Sequence, residues 1–374
     1  MDNMTDQQKA IKCLEEIQEK SLLERFGVDY AEKHKQLFKN KEKTDFFEEF
    51  IKTQKTATDK EKEELRKEFN KSFQSAIILT KYEVPHSAIL LNTLFAKIET
   101  AAKRIDYHIA KRPIVGTAFS KSFNAFAVRV PHTTENIIVF ESELFTLCNL
   151  LAKIIASCLP DFNIGDKVSF SFAKDRIENH IRTNPIISQR FADFVDNAIL
   201  DGQPNNTKQY FLSDIVGRLH YELLNSLELF IVGHEYGHIY AGHLDKAILV
   251  KSMIGDDEFS KLKPDWQMEY EADFHGVNLL VNSVESRNLL PFSILGPELF
   301  FTFLDLTERA NSLIYEGKEV RSLSSDEHPP TYDRRNSIRD MLNRGLPKDE
   351  LEAYNVGGQF LENVLEILWS DYKK

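Results

Sequence analysis

The stretch Ser226-Leu-Glu-Leu-Phe-Ile-Val-Gly-His234-Glu235-Tyr236-Gly237-His238-Ile-Tyr-Ala-Gly-His243 sets two histidines four residues apart in an apolar context. Leu223, Leu227 and Ile231 recur at four-residue spacing, which predicts a helix with one buried face. Residues four apart in a helix lie one turn above each other on nearly the same side, so His234 and His238 are expected to hold one metal ion together. Two neutral imidazoles leave a zinc ion room for a third protein ligand and a water. Glu235, roughly a quarter-turn further round, can reach that water rather than the metal and take its proton. Glycines at 233, 237 and 242 each give up about 1 kcal/mol of helix propensity, which predicts that something approaches this helix closely.

A candidate third ligand lies in Trp266-Gln-Met-Glu269-Tyr-Glu271-Ala272-Asp273-Phe-His275, a second helical pattern. Glu269 and Asp273 are four apart and share a face. One carboxylate can bind the metal while the other holds a ligand histidine by its free ring nitrogen, and Glu269 is the expected ligand, with Asp273 behind it. Glu271 reads as a solvated charge. His243 follows His238 by five residues, one short of the metzincin spacing, so it is expected to pack or hydrogen-bond, as is His275.

With 374 residues, 42% hydrophobic and 28% charged, the chain has the composition of a soluble globular protein with a sizeable core. A net charge of -11 argues against nucleic acid as the partner, because that affinity needs clustered Lys and Arg. Cys13, Cys148 and Cys158 are odd in number and follow no CxxC spacing, which suits a reducing compartment and no thiolate zinc site. Residues 1–20 have no apolar core of a secretory signal. The longest apolar run, Leu144 to Leu159, is too short for a membrane span and contains Lys153. The cytoplasm is the expected location.

Residues 6–73 are dense in Lys, Glu and Phe and predict charged amphipathic helices, a helical N-terminal region over 1–80. Helical spacing continues through Ala88 to Ala102. Asn124-Ala-Phe-Ala-Val-Arg-Val and Ile137-Ile-Val-Phe140 predict two short strands joined by a turn, with Pro131 at a strand end or edge. Residues 145–160 return to helix, Pro160 to Gly165 breaks it, and Gly202 to Asn206 is a loop. The segment 161–210 carries no clear pattern. The expected fold is α+β: a mostly helical body with a small antiparallel sheet, residues 81–374 forming the metal-binding domain.

These motifs together resemble the HtpX-like and CAAX-prenyl-protease-type zinc peptidases, gluzincins with a zincin-like fold. His234-Glu-Tyr-Gly-His238 looks like the family's active-site helix, and Glu269-Tyr-Glu-Ala272-Asp273 matches its ExxAD motif. His328-Pro329-Pro330 with Arg334 is similar to its HPxxxxR element, and Asn124-Ala-Phe-Ala127 to the strand before the active-site helix. The resemblance implies that Asn124, Ala125 and Phe126 open an edge strand on which an extended substrate lies by β-strand addition. It also implies that Arg334 and His328 act near the site, either stabilising an oxyanion or tying the final helix to the cleft. The spanning helices of membrane-embedded members have no counterpart here, and about 145–215 read as an insertion. A fainter likeness, resting on the zinc helix alone, is to bacterial phage-exclusion peptidases.

The expected function is therefore a zinc-dependent endopeptidase acting on a protein or peptide. The alternative is a regulatory or phage-exclusion/toxin-type protein whose metal site is structural or acts on one host protein. A hydrolase of small molecules would need an enclosed pocket instead of an open groove.

Overall fold

The structure, a computed structural model, describes residues 4–28, 58–75, 77–83, 85–109, 111–119, 124–164, 167–208, 210, 212–246, 249–254, 257–262, 265–284, 292–320 and 328–374. It is mostly helical with a small sheet, the α+β class expected. Two compact units interleave along the sequence, one from residues 1–99, 108–142 and 242–263, the other from 100–107, 143–241 and 264–374. Among the described residues no helix is long and apolar enough to cross a membrane.

The first unit begins with α1 (Asp6–Phe26). Its N-terminus is closed by a reciprocal cap in which Gln8 N donates to Thr5 Oγ1 at 3.2 Å and Thr5 N to Gln8 Oε1 at 2.9 Å. Ala10, Cys13, Leu14 and Ile17 recur at three and four residues and bury against Ile114, Val128, Ile137 and Val139 of the sheet. Helices α2 (Asp59–Ser75) and α3 (Pro85–Arg104) follow; residues 29–57 of the expected helical region lie outside the described residues.

Strands β1 (Ile114–Ala118), β2 (Ala125–Arg129) and β3 (Asn136–Glu141) include the two strands expected from sequence, and β2 runs antiparallel to β3 from Ala125↔Phe140 to Arg129↔Asn136. Two expectations are corrected. β1 pairs parallel with β3, so the sheet is mixed rather than antiparallel. Nor is β2 an edge strand: the hairpin β6 (Leu249–Ile254) and β7 (Asp257–Leu262) joins its other side at Val128↔Lys261, giving the order β1-β3-β2-β7-β6. Both errors arise because the pairing partners lie far apart in sequence.

The second unit is built on α7 (Asp214–Tyr240). The first half buries one face through Leu219 and Leu223 while Ile215, Arg218 and Tyr221 stay exposed, and from Ser226 to Ile239 the helix is enclosed nearly all round, with Leu227, Phe230, Ile231 and Val232 buried. It packs against α4 (Leu144–Ser157), α9 (Trp266–Ser283) and α10 (Gly296–Glu316), and Gly296 N donates to the buried Ser226 Oγ at 2.7 Å. The patternless segment 161–210 holds a hairpin of β4 (Asp161–Ile164) and β5 (Lys167–Phe170), then α5 (Lys174–Thr183), α6 (Pro185–Asp193) and a π-helical turn over Phe194–Leu200. The short α8 (His243–Lys246) belongs to the first unit; α11 (Thr331–Gly345) and α12 (Lys348–Tyr372) close the second.

Candidate metal centre

Helices α7 and α9 approach so closely that side chains are excluded where they touch. A Cβ on Gly237 would stand 2.9 Å from His275 Cβ and 3.0 Å from Ala272 O, and one on Gly276 would stand 3.0 Å from His234 N. Of the motif glycines, Gly237 shows the close approach that was expected. Gly242 has another reason: it sits at φ +69°, just past the end of α7, a left-handed position that glycine adopts without steric cost.

The approach brings His234 and His238 of α7 and Glu269 of α9 together, with ligand atoms within 4.8 Å of one another. The two Nε2 atoms lie 3.2 Å apart, and the nearest Glu269 oxygens lie 3.4 Å from His238 Nε2 and 3.8 Å from His234 Nε2. Donors about 2.0–2.1 Å from a tetrahedral zinc ion stand about 3.3 Å from each other, so these separations fit such an ion. Among the described residues these three are the group that can hold a metal.

Glu269 sits in the first turn of α9, whose N-terminus is capped by Asp265 Oδ1 accepting from Met268 N at 2.9 Å, and a carboxylate there is favoured by the helix dipole. Asp273, one turn on, accepts from His234 Nδ1 at 2.9 Å, which leaves the His234 Nε2 lone pair for a metal. Asp273 also takes a two-pronged hydrogen bond from Arg334, Nε to Oδ2 at 2.8 Å and Nη2 to Oδ1 at 2.7 Å. Arg334 Nη1 lies 2.9 Å from Glu269 Oε2, close enough for charge attraction yet misaligned for a hydrogen bond. That buried oxygen thus lacks an aligned donor, which also fits a cation in the cluster.

Burial alone would raise both carboxyls; Arg334 overrides it, with the neighbouring histidines adding to the effect, and holds Glu269 well below and Asp273 below the usual range. Arg334 in turn is raised, chiefly by Asp273 and Glu269 against its own burial, with a smaller contribution from Glu235. Its donors face two carboxylates and fix the start of α11, the helix before the last, to α9. His328, just ahead of α11, places Nδ1 3.3 Å from Glu269 Oε2 with its side chain 43% exposed, at the rim of the cluster. Glu235 is buried on α7 between the two histidines.

The remaining candidates fall elsewhere. His243 is buried in the first unit, outside the cluster. His275 donates to or accepts from Tyr107 Oη at 3.0 Å and sits edge-on to Tyr107 and Tyr240, the packing and hydrogen-bonding role expected. Asn124 Oδ1 accepts from Ala125 N at 2.9 Å, Ala125 pairs with Phe140, and Phe126 packs on the core beneath α1. Asp265 was not singled out from the sequence, although Asp directly before a helical pattern is a capping signal. No protein-family model, no curated protein and no solved structure matches this chain.

Proposed function

We propose that the chain is a zinc-dependent endopeptidase of protein or peptide substrates, of the gluzincin type that its motifs resemble, working in the cytoplasm. The observation that carries the reading is the convergence of two imidazoles from one helical turn with a carboxylate from a second helix, one imidazole being oriented by Asp273. His234, His238 and Glu269 would hold the ion, which when bound supplies Lewis-acid polarisation of a carbonyl and acidification of water.

The other steps belong to the chain. Glu235 accepts a proton from the attacking water at a carboxylate oxygen and returns it to the leaving amine. Asp273 keeps the proton of His234 on Nδ1, so that Nε2 stays a ligand atom. Arg334 keeps Glu269 and Asp273 ionised and in place. His328, half exposed beside Glu269, would donate a hydrogen bond to a substrate oxygen.

The test is Glu235→Gln, with zinc content measured in parallel. Zinc bound at one per chain in both proteins, with cleavage of a peptide library lost by about a hundredfold or more in the variant, is the expected result. Undiminished cleavage in the zinc-loaded variant refutes the assignment of Glu235. Zinc that no chelator removes, in a protein that cleaves nothing, favours a structural metal site.

A further inference from the structure

Away from the metal cluster, the second unit holds a pair of cations whose charge is not cancelled. Lys153, in the middle of α4, directs Nζ to the carbonyl of Tyr210 at 3.2 Å and lies 5.6 Å from the centre of its ring. Arg190 of α6 stacks its guanidinium on the same ring at 3.6 Å. Among the described residues no carboxylate stands within ion-pair distance of either, in a chain with 58 acidic against 47 basic residues. Neighbouring groups register the surplus. Burial and then Arg190 lower the pKa of Lys153, while burial and then Lys153 push His220 of α7 down to about 4. His220 is consequently neutral near pH 7, its Nε2 2.9 Å from Asn149 Oδ1.

Two positive charges held together by one ring, half-buried and short of counter-charge, cost free energy unless something else offsets them. Lys153, Arg190 and Tyr210 each remain partly exposed. A guanidinium stacked face-on keeps its in-plane N–H groups available, and an ammonium donating once to a carbonyl keeps two further protons. A carboxylate or chloride would cancel one of the two charges. A phosphate dianion cancels both, and its oxygens accept from a fork and a point charge at once.

We propose that Lys153 and Arg190, both set against Tyr210, form a binding site for a phosphate group, either the free ion or a phosphate monoester. The site is separate from the metal cluster and independent of the peptidase reading.

Calorimetry and thermal melting at constant ionic strength test it, with inorganic phosphate and a nucleoside monophosphate as probes and chloride and acetate as controls. Saturable binding of phosphate with a rise in melting temperature that the controls do not give is expected. Tighter binding of the monoester would mark a carried phosphate as the ligand; equal binding would mark the free ion. Lys153→Met and Arg190→Gln are each expected to weaken binding tenfold or more. Lys153→Met should also melt no lower than the parent without ligand, because the repulsion with Arg190 goes. Arg190→Lys, which keeps the charge and loses the fork, should bind with intermediate affinity. Phosphate acting no differently from chloride, or variants that keep parental affinity, would overturn the proposal.

Discussion

Glu269 and Asp273 in one unit and Glu83 in the other are all almost fully enclosed, 2%, 2% and 4% exposed, yet their electrostatics are opposite. The first two face a buried guanidinium, and Arg334 holds them ionised against their burial. Glu83 has only neutral donors. Its Oε2 accepts from Thr117 N at 2.9 Å and Gln18 Nε2 at 2.7 Å, and its Oε1 from Thr117 Oγ1 at 2.8 Å. Burial outweighs these bonds and pushes its pKa up to about 7. The difference separates a cluster built to keep negative charge from a polar core contact that tolerates a proton.

Removing the cation should produce the largest effect. Arg334→Met leaves two enclosed carboxylates without compensation, and breaking a buried charge pair from one side typically costs about 3–5 kcal/mol. Urea unfolding of the metal-free protein should show that loss. Arg334→Lys should recover part of it, since an ammonium supplies charge without the two-pronged geometry on Asp273. An Arg334→Met protein as stable as the parent would mean that the carboxylates are not held ionised by this residue.

The converse experiment in the other unit concerns pH. Glu83 has a folded pKa above its ordinary 4.5, so its contribution to stability is fully present below about 4.5 and is lost as pH rises towards about 7. At about 1.4 kcal/mol per pH unit the loss approaches about 3 kcal/mol. Glu83→Gln keeps an acceptor for Thr117 N and Gln18 and removes the titration. Denaturant unfolding at intervals from pH 4.5 to 8 should therefore show a gap between parent and variant that widens up to pH 7 in favour of the variant, then stays constant. Parallel curves would show that Glu83 is already ionised throughout that range.

What was legible in the sequence follows the reach of each interaction. His234, His238, Glu269 and Asp273 could be read because each pair spans one helical turn, and four-residue spacing fixes a shared face whatever surrounds it. Their convergence was expected from the shared face of Glu269 and Asp273 and from the resemblance, while the glycines indicated only that something approaches the first helix closely. Arg334 was visible as a candidate through the resemblance, but its partner was not, because Asp273 lies 61 residues away. The parallel pairing of β1 and the pairing of β2 with a later hairpin are long-range choices with the same difficulty. α1 is a different case. Its composition read as a charged amphipathic helix, and Ala10, Cys13, Leu14 and Ile17 mark the core face at helical spacing.

The smallest expected effect tests whether the convergence depends on helix spacing. In Gly237→Ala the new methyl group would meet His275 Cβ at 2.9 Å and the Ala272 carbonyl at 3.0 Å, so α9 has to move by a few tenths of an ångström. Overpacking of this kind costs about 1–3 kcal/mol, from which the better helix propensity of alanine returns about 1 kcal/mol. Net stability should fall by no more than about 2 kcal/mol. Zinc affinity should suffer more visibly, because Ala272 and His275 share one helix with Glu269 and any shift of that helix changes the distance from Glu269 to both imidazoles. Competition with a chelator should show about a tenfold loss, comparable with disturbing the hydrogen bonds that orient a ligand. A variant that is less stable but binds zinc as tightly as the parent would separate packing from metal geometry, and Glu269 would then be held by Arg334 and His328 rather than by the contact between the helices.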